Sequence, residues 1–120
     1  MRTMSSRSGA GRLTEALMVA DLRRYVEAVA DALGLSPAGV GYEVADTATG
    51  YVALAARCPA LPNRDLMLTW SDTGGWVLAT EPTRPRQAPI VLARLHGDVL
   101  PDPDVVASFV GLALAGWRAR

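Results

Sequence analysis

The sequence predicts an α+β domain: a helix, a five-stranded antiparallel meander and a second helix, with both helices packed on one face of the sheet. Three observations carry this expectation. Apolar residues recur at three- and four-residue steps near both ends of the chain, from Leu13 and again from Val106. Between these stretches the period changes to two, as strands require. The extended segments are separated by short turn-forming clusters, which suit hairpins and not crossovers. A chain of 120 residues is the size of one domain, so residues 13–120 are expected to share one core.

The elements follow in order. Residues 1–12 are Ser-, Gly- and Arg-rich with little to bury and read as a disordered tail; initiation at Met18 fits the composition equally well. Leu17, Leu22, Tyr25, Val26, Val29 and Leu33 then mark one helical stripe. Arg23 is placed to pair with Glu27, and Asp21 is an alternative cap for a shorter helix. Gly34 fits the stop and Ser36-Pro37 prevents continuation. Val40, Tyr42 and Val44 alternate as a strand, residues 46–50 read as a turn, and Tyr51 to Arg57 as the next strand.

Cys58 to Asn63 is a proline-containing loop. Asp65–Trp70 and Trp76–Glu81 flank the clearest hairpin turn, Ser71-Asp-Thr-Gly-Gly75. Symmetric closure sets Trp70 against Trp76, Leu68 against Leu78 and Leu66 against Thr80, all on the core face. Residues 82–89 read as an exposed, partly polyproline-like linker carrying Arg84 and Arg86, and Ile90–Leu95 as the fifth strand. Asp102-Pro103-Asp104 supplies an N-cap, an N1 proline and an acidic first turn. Val106, Phe109, Val110, Ala113, Leu114 and Trp117 form the last stripe.

Composition removes several classes of function. Twelve acidic and twelve basic residues cancel, so nothing draws nucleic acid or an anionic membrane to the molecule as a whole. Every basic residue is arginine, and the absence of lysine rules out a Walker-type phosphate loop. The one cysteine, Cys58, forms no intrachain disulfide and no cysteine metal cluster, which suits a cytoplasmic protein. No apolar run reaches the roughly 20 residues needed to span a bilayer.

Residues that invite chemistry have plainer readings. His96, the only histidine, lies at a strand end without a neighbouring nucleophile and reads as a turn residue. Cys58 precedes a proline and reads as an incidental thiol. Asp98, Asp102 and Asp104 lack the spacing of a calcium loop, and capping explains two of them. Gly9-Ala-Gly11 follows no strand. Trp70, Trp76 and Trp117 fall on core stripes. No catalytic residue, metal site or cofactor is legible.

Several blocks nevertheless resemble a known family. They are Leu22-Arg-Arg-Tyr-Val-Glu-Ala-Val-Ala, Tyr42-Glu-Val-Ala-Asp-Thr-Ala-Thr, Arg64-Asp-Leu-Met-Leu-Thr-Trp, Gly75-Trp-Val-Leu-Ala-Thr-Glu and Val91-Leu-Ala-Arg-Leu-His-Gly-Asp-Val-Leu-Pro. Together they resemble a family of small actinobacterial proteins, the domain of unknown function 6292. The resemblance implies no activity and carries no catalytic residue over. His96 departs from the Gly-Gly-Asp of the family's pattern. The polar blocks single out Glu43, Asp46, Thr47, Arg64, Asp65, Glu81, Arg94 and Asp98 as a candidate polar cluster.

The leading functional expectation is a non-catalytic interaction module, a homodimer or a partner adaptor, acting through the open sheet face. Its candidate interface is Tyr51, Ala53, Ala55, Met67, Thr69, Val77 and Ala79, which is too apolar for a solvated surface. The alternative is a small-ligand protein or enzyme using Arg64, Asp65, Glu81 and Arg94 in a cleft between sheet and helices.

Overall fold

The computed structural model describes the backbone of residues 4–118 and the side chains of residues 18–117. The expected tail falls largely outside these side chains, as does Leu17, although the backbone of the first helix, α1, is helical over Met4–Ala32. Leu22, Val26, Val29 and Ala30 are buried, and Tyr25 and Leu33 pack against them, so the apolar stripe is the face that folds inward. Asp21 lies inside this helix and caps nothing; it pairs instead with Arg24 at 3.4 Å on the solvent side. That contact replaces the expected Arg23–Glu27 pair.

The helix ends as the sequence predicts. Gly34 has φ +74°, Leu35 N–H donates to Ala30 O at 2.8 Å and Gly34 N–H to Asp31 O at 2.9 Å. This is a Schellman stop, with the left-handed position given to the residue that adopts it without a Cβ clash. Ser36 then caps a short 3-10 turn, Pro37–Gly39, accepting from Ala38 N–H.

Five antiparallel strands follow: β1 Val40–Val44, β2 Ala48–Arg57, β3 Asp65–Ser71, β4 Gly75–Thr80 and β5 Val91–Arg94. Their spatial order equals their chain order. The β3–β4 register pairs Trp70 with Trp76, Leu68 with Leu78 and Leu66 with Thr80, as the hairpin turn dictates. One boundary differs. Residues 46–50 are not a turn, because β2 already begins at Ala48, with Val44 opposite it. Gly50 is a strand glycine: a Cβ there would lie 2.8 Å from Val26 Cγ2, so its absence is what lets α1 come down onto the sheet.

Residues 82–89 also differ from expectation. They close the β4–β5 hairpin around a turn in which Gln87 N–H donates to Arg84 O and Gln87 Oε1 accepts from Thr83. The second helix, α2, spans Pro103–Arg118, and the Asp102 carbonyl accepts from Val105 and Val106 as the N-cap position does. Val106 and Val110 are buried and Phe109, Ala113, Leu114 and Trp117 pack beside them. Both helices lie on one face of the sheet; α1 makes the broad contact with the strands, and α2 packs chiefly on α1. Leu66, Leu68, Trp76 and Leu78 form the floor of this core at 0–1 % exposure, each contributing about 1.5–3 kcal/mol by burial.

Candidate functional site

The molecule has two faces to offer, and the sequence pointed to the open one. There the registers align Tyr51, Thr69 and Val77 in one cross-strand row and Ala53, Met67 and Ala79 in the next. Ala55 stands apart, exposed and at φ 53° in the β2 bulge that lies between Ala53 and Arg57. The face is less bare than its composition suggests. Met67 is 7 % and Ala79 2 % exposed although no helix covers them. The Tyr51 side chain crosses β3 to donate to Glu81 Oε1 at 2.7 Å, which lays an aromatic ring over this side of the sheet. Burial, then the Glu81 carboxylate, push the Tyr51 hydroxyl up to about 12.

The polar candidates do not converge. Arg57, a residue the sequence reading passed over, takes Asp65 at 2.9 Å, and both side chains are more than half exposed. Glu81 N–H donates to Asp65 O, so Asp65 and Glu81 are neighbours on the open face, beside the bulge. Arg64 instead donates to Thr80 Oγ1, which belongs to the helix-covered side with Leu66. Arg94 is exposed opposite Val77 at the β5 edge. Glu43, Asp46 and Asp98 are exposed too, Asp46 in the β1–β2 turn and Asp98 beyond β5. His96 is exposed and Cys58 is buried in the core. Among the described residues no three His, Cys, Asp or Glu side chains are grouped to hold a metal ion.

The better-formed concavity lies elsewhere, between α1, the β1–β2 turn and the segment that leads from β5 into α2. It encloses about 640 Å³. Its inner wall includes Tyr25 and Trp70, with Trp76 buried behind them. Tyr25 projects from α1 and meets Trp70 edge-on at 6.3 Å and Trp76 at 6.0 Å between ring centroids. Trp76 Nε1–H donates to the Tyr25 hydroxyl at 3.0 Å, and that hydroxyl donates to Pro101 O at 2.6 Å. Trp70 Nε1–H donates to Val99 O at 2.7 Å. Two aromatic donors, half-buried Tyr25 and buried Trp70, therefore hold residues 99–101 as a strap along the mouth of the cleft.

Leu22 and Val44 line the floor, and Met18, Val99 and Leu100 the lip, with Leu100 62 % exposed. Three carboxylates, Asp21, Asp72 and Asp102, stand among these apolar groups; among the described residues no arginine or histidine does. Asp72 also pins the β1–β2 turn by accepting from Ala48 N–H. Burial raises the Tyr25 hydroxyl pKa; the Trp76 hydrogen bond opposes this and the Asp102 charge adds to it. Sequence reading missed this cleft because it assigned Tyr25, Trp70 and Trp76 to core alone. They are core residues whose polar edges continue out to the strap. The signal available was the run Val99-Leu100-Pro101, apolar yet outside any periodic element.

No helix among the described residues is long and apolar enough to cross a membrane. Neither the curated proteins nor the solved structures include a significant match to this chain. A family model does match, over residues 25–111, from Tyr25 at the back of the cleft to Gly111 in α2. The chain belongs to this family, the family of unknown function DUF6292.

Proposed function

We propose that the chain is a non-catalytic protein-interaction module, acting in the cytoplasm, whose cleft between α1 and the Val99–Pro101 strap receives an apolar segment of a partner protein. The observation that carries this reading is the cleft itself. Large hydrophobic side chains of this molecule are exposed at its lip, at Met18, Val99 and Leu100, beside an open concavity of about 640 Å³, roomy enough for an incoming side chain. Interfaces are anchored where an apolar group enters such a pocket.

A second reading, self-association through the open sheet face, is favoured by the half-buried row of Tyr51, Thr69 and Val77. The enzyme or small-ligand alternative draws no support from the geometry, because Arg64 and the Asp65–Glu81 pair serve opposite faces.

Affinity capture from the native cells separates these readings. Wild-type bait is compared with Leu100→Asp in the cleft and Val77→Lys on the open face, both at positions that tolerate a charge. A stoichiometric partner retained by Val77→Lys and lost by Leu100→Asp is the expected result. The reverse pattern, with wild type sedimenting as a dimer, moves the function to the open face. A partner held equally by all three baits removes the cleft from the account.

A further inference from the structure

We propose that the apolar segment entering the cleft carries a basic residue: an arginine or lysine side chain, flanked by apolar residues, is the group that this pocket selects. The inference rests on the cleft reading above and adds the chemistry of its occupant. The pocket's lining is apolar except for carboxylates, and all of its formal charge has one sign. An acidic or phosphate-bearing guest would meet Asp21, Asp72 and Asp102 with no basic side chain among the described lining residues. A purely apolar guest would leave those exposed carboxylates without a partner and gain nothing from them. A basic side chain satisfies both halves of the site. Its aliphatic stem lies along Leu22 and Leu100 while its cation stays at the rim among the carboxylates.

The charge layout of the sheet points the same way. The β1–β2 turn, the β3–β4 turn and the segment after β5 all lie at one end of the meander, and they carry Asp46, Asp72 and Asp98. The opposite end, made by the β2–β3 and β4–β5 connections, carries Arg64, Arg84 and Arg86 together with Glu81. Among the described residues these turns therefore set carboxylates close to the cleft, which suits a basic side chain there. Among the described residues the basic group in contact with this rim is Arg24, and it is a weak competitor. Arg24 meets Asp21 at 3.4 Å with both side chains above 70 % exposed, a pair that gives little stability and exchanges readily.

Amide and indole N–H shifts in two-dimensional NMR test the proposal, using three blocked heptapeptides as probes. One alternates leucine with arginine, one replaces arginine with glutamate, and one replaces leucine with serine. Free arginine methyl ester serves as the cation without a peptide. The expected result is saturable shifts of the Trp70 indole N–H and the Leu100 amide with the Leu–Arg peptide, at an affinity at least about tenfold above the other probes. That is a difference of about 1.4 kcal/mol. The isosteric set Asp21→Asn, Asp72→Asn and Asp102→Asn, which keeps the cap and turn acceptors, should abolish the preference while the spectrum stays folded.

Equal binding of the Leu–Glu peptide overturns the charge selection and leaves the cleft reading standing. Equal binding of the Ser–Arg peptide or of arginine methyl ester overturns the proposal as well, since the apolar walls would then select nothing. Absence of cleft shifts with every probe overturns it outright, and the Leu100→Asp capture then decides separately whether the cleft reading falls too.

Discussion

Tyr51 shows how one residue changes the meaning of a surface. By composition it belongs to an apolar patch awaiting a partner; in the fold its hydroxyl is tied to Glu81 and its ring lies across the strand between them. Its hydroxyl is raised to about 12 from an ordinary 10.0, by burial first and by Glu81 second. The sign of the linkage follows. Above pH 10 the unfolded tyrosine loses its proton while the folded one keeps it, so the stabilisation present below pH 10 is lost as pH rises toward 12. Glu81→Gln should bring the Tyr51 titration back toward 10, read as tyrosinate absorbance against a Tyr51→Phe control. An unchanged titration in Glu81→Gln would mean that the carboxylate contributes nothing to it. None of this was legible in the sequence, because the bond joins residues on β2 and just past β4, and no local pattern reports a contact across two strands.

At the scale of elements, periodicity found both α-helices and the five strands of the described residues, though not the 3-10 turn Pro37–Gly39, and turn chemistry fixed the β3–β4 register. The misplaced start of β2 has a specific cause. Glycine after Asp-Thr-Ala-Thr looks like turn chemistry, but Gly50 is needed for space and not for backbone freedom. It lies between Tyr42 and Trp70 in its cross-strand row, and Val26 of α1 sits over it. Gly50→Ala should therefore destabilise the domain by about 1–3 kcal/mol, the usual cost of overpacking a filled core. The cost should shrink in a Val26→Ala background, where the 2.8 Å conflict is gone. Urea unfolding of the four proteins in this cycle measures the coupling, and additive losses would show that Val26 is not what the glycine accommodates. The two-residue excess of β2 over β3 between Ala53 and Arg57 was equally hidden, since an all-apolar Tyr-Val-Ala-Leu-Ala-Ala run alternates too weakly to reveal a bulge.

For the molecule as a whole, totals mislead where placement informs. Net charge is zero, yet the acidic turns gather at one end of the meander and arginine-bearing loops at the other. The same contrast holds for folding. Each strand pairs only with its neighbours in the chain, so the sheet is assembled from short loop closures. The Tyr25 network is the opposite case, joining residues 51 apart to Trp76 and 76 apart to Pro101. Interactions that close such long loops are expected to form after the transition state, once the hairpins have given the helices a surface to dock on. Tyr25→Phe removes the donor to Pro101 O and the acceptor for the Trp76 indole N–H, which should cost about 1–3 kcal/mol. Nearly all of that loss should fall on unfolding: the unfolding rate rises about tenfold per 1.4 kcal/mol while the folding rate stays within about twofold. Leu68→Ala, in the β3–β4 hairpin, should instead slow folding. Stopped-flow chevrons of the two variants decide the order, because a slowed folding limb in Tyr25→Phe would place the closing of α1 and the strap ahead of the sheet.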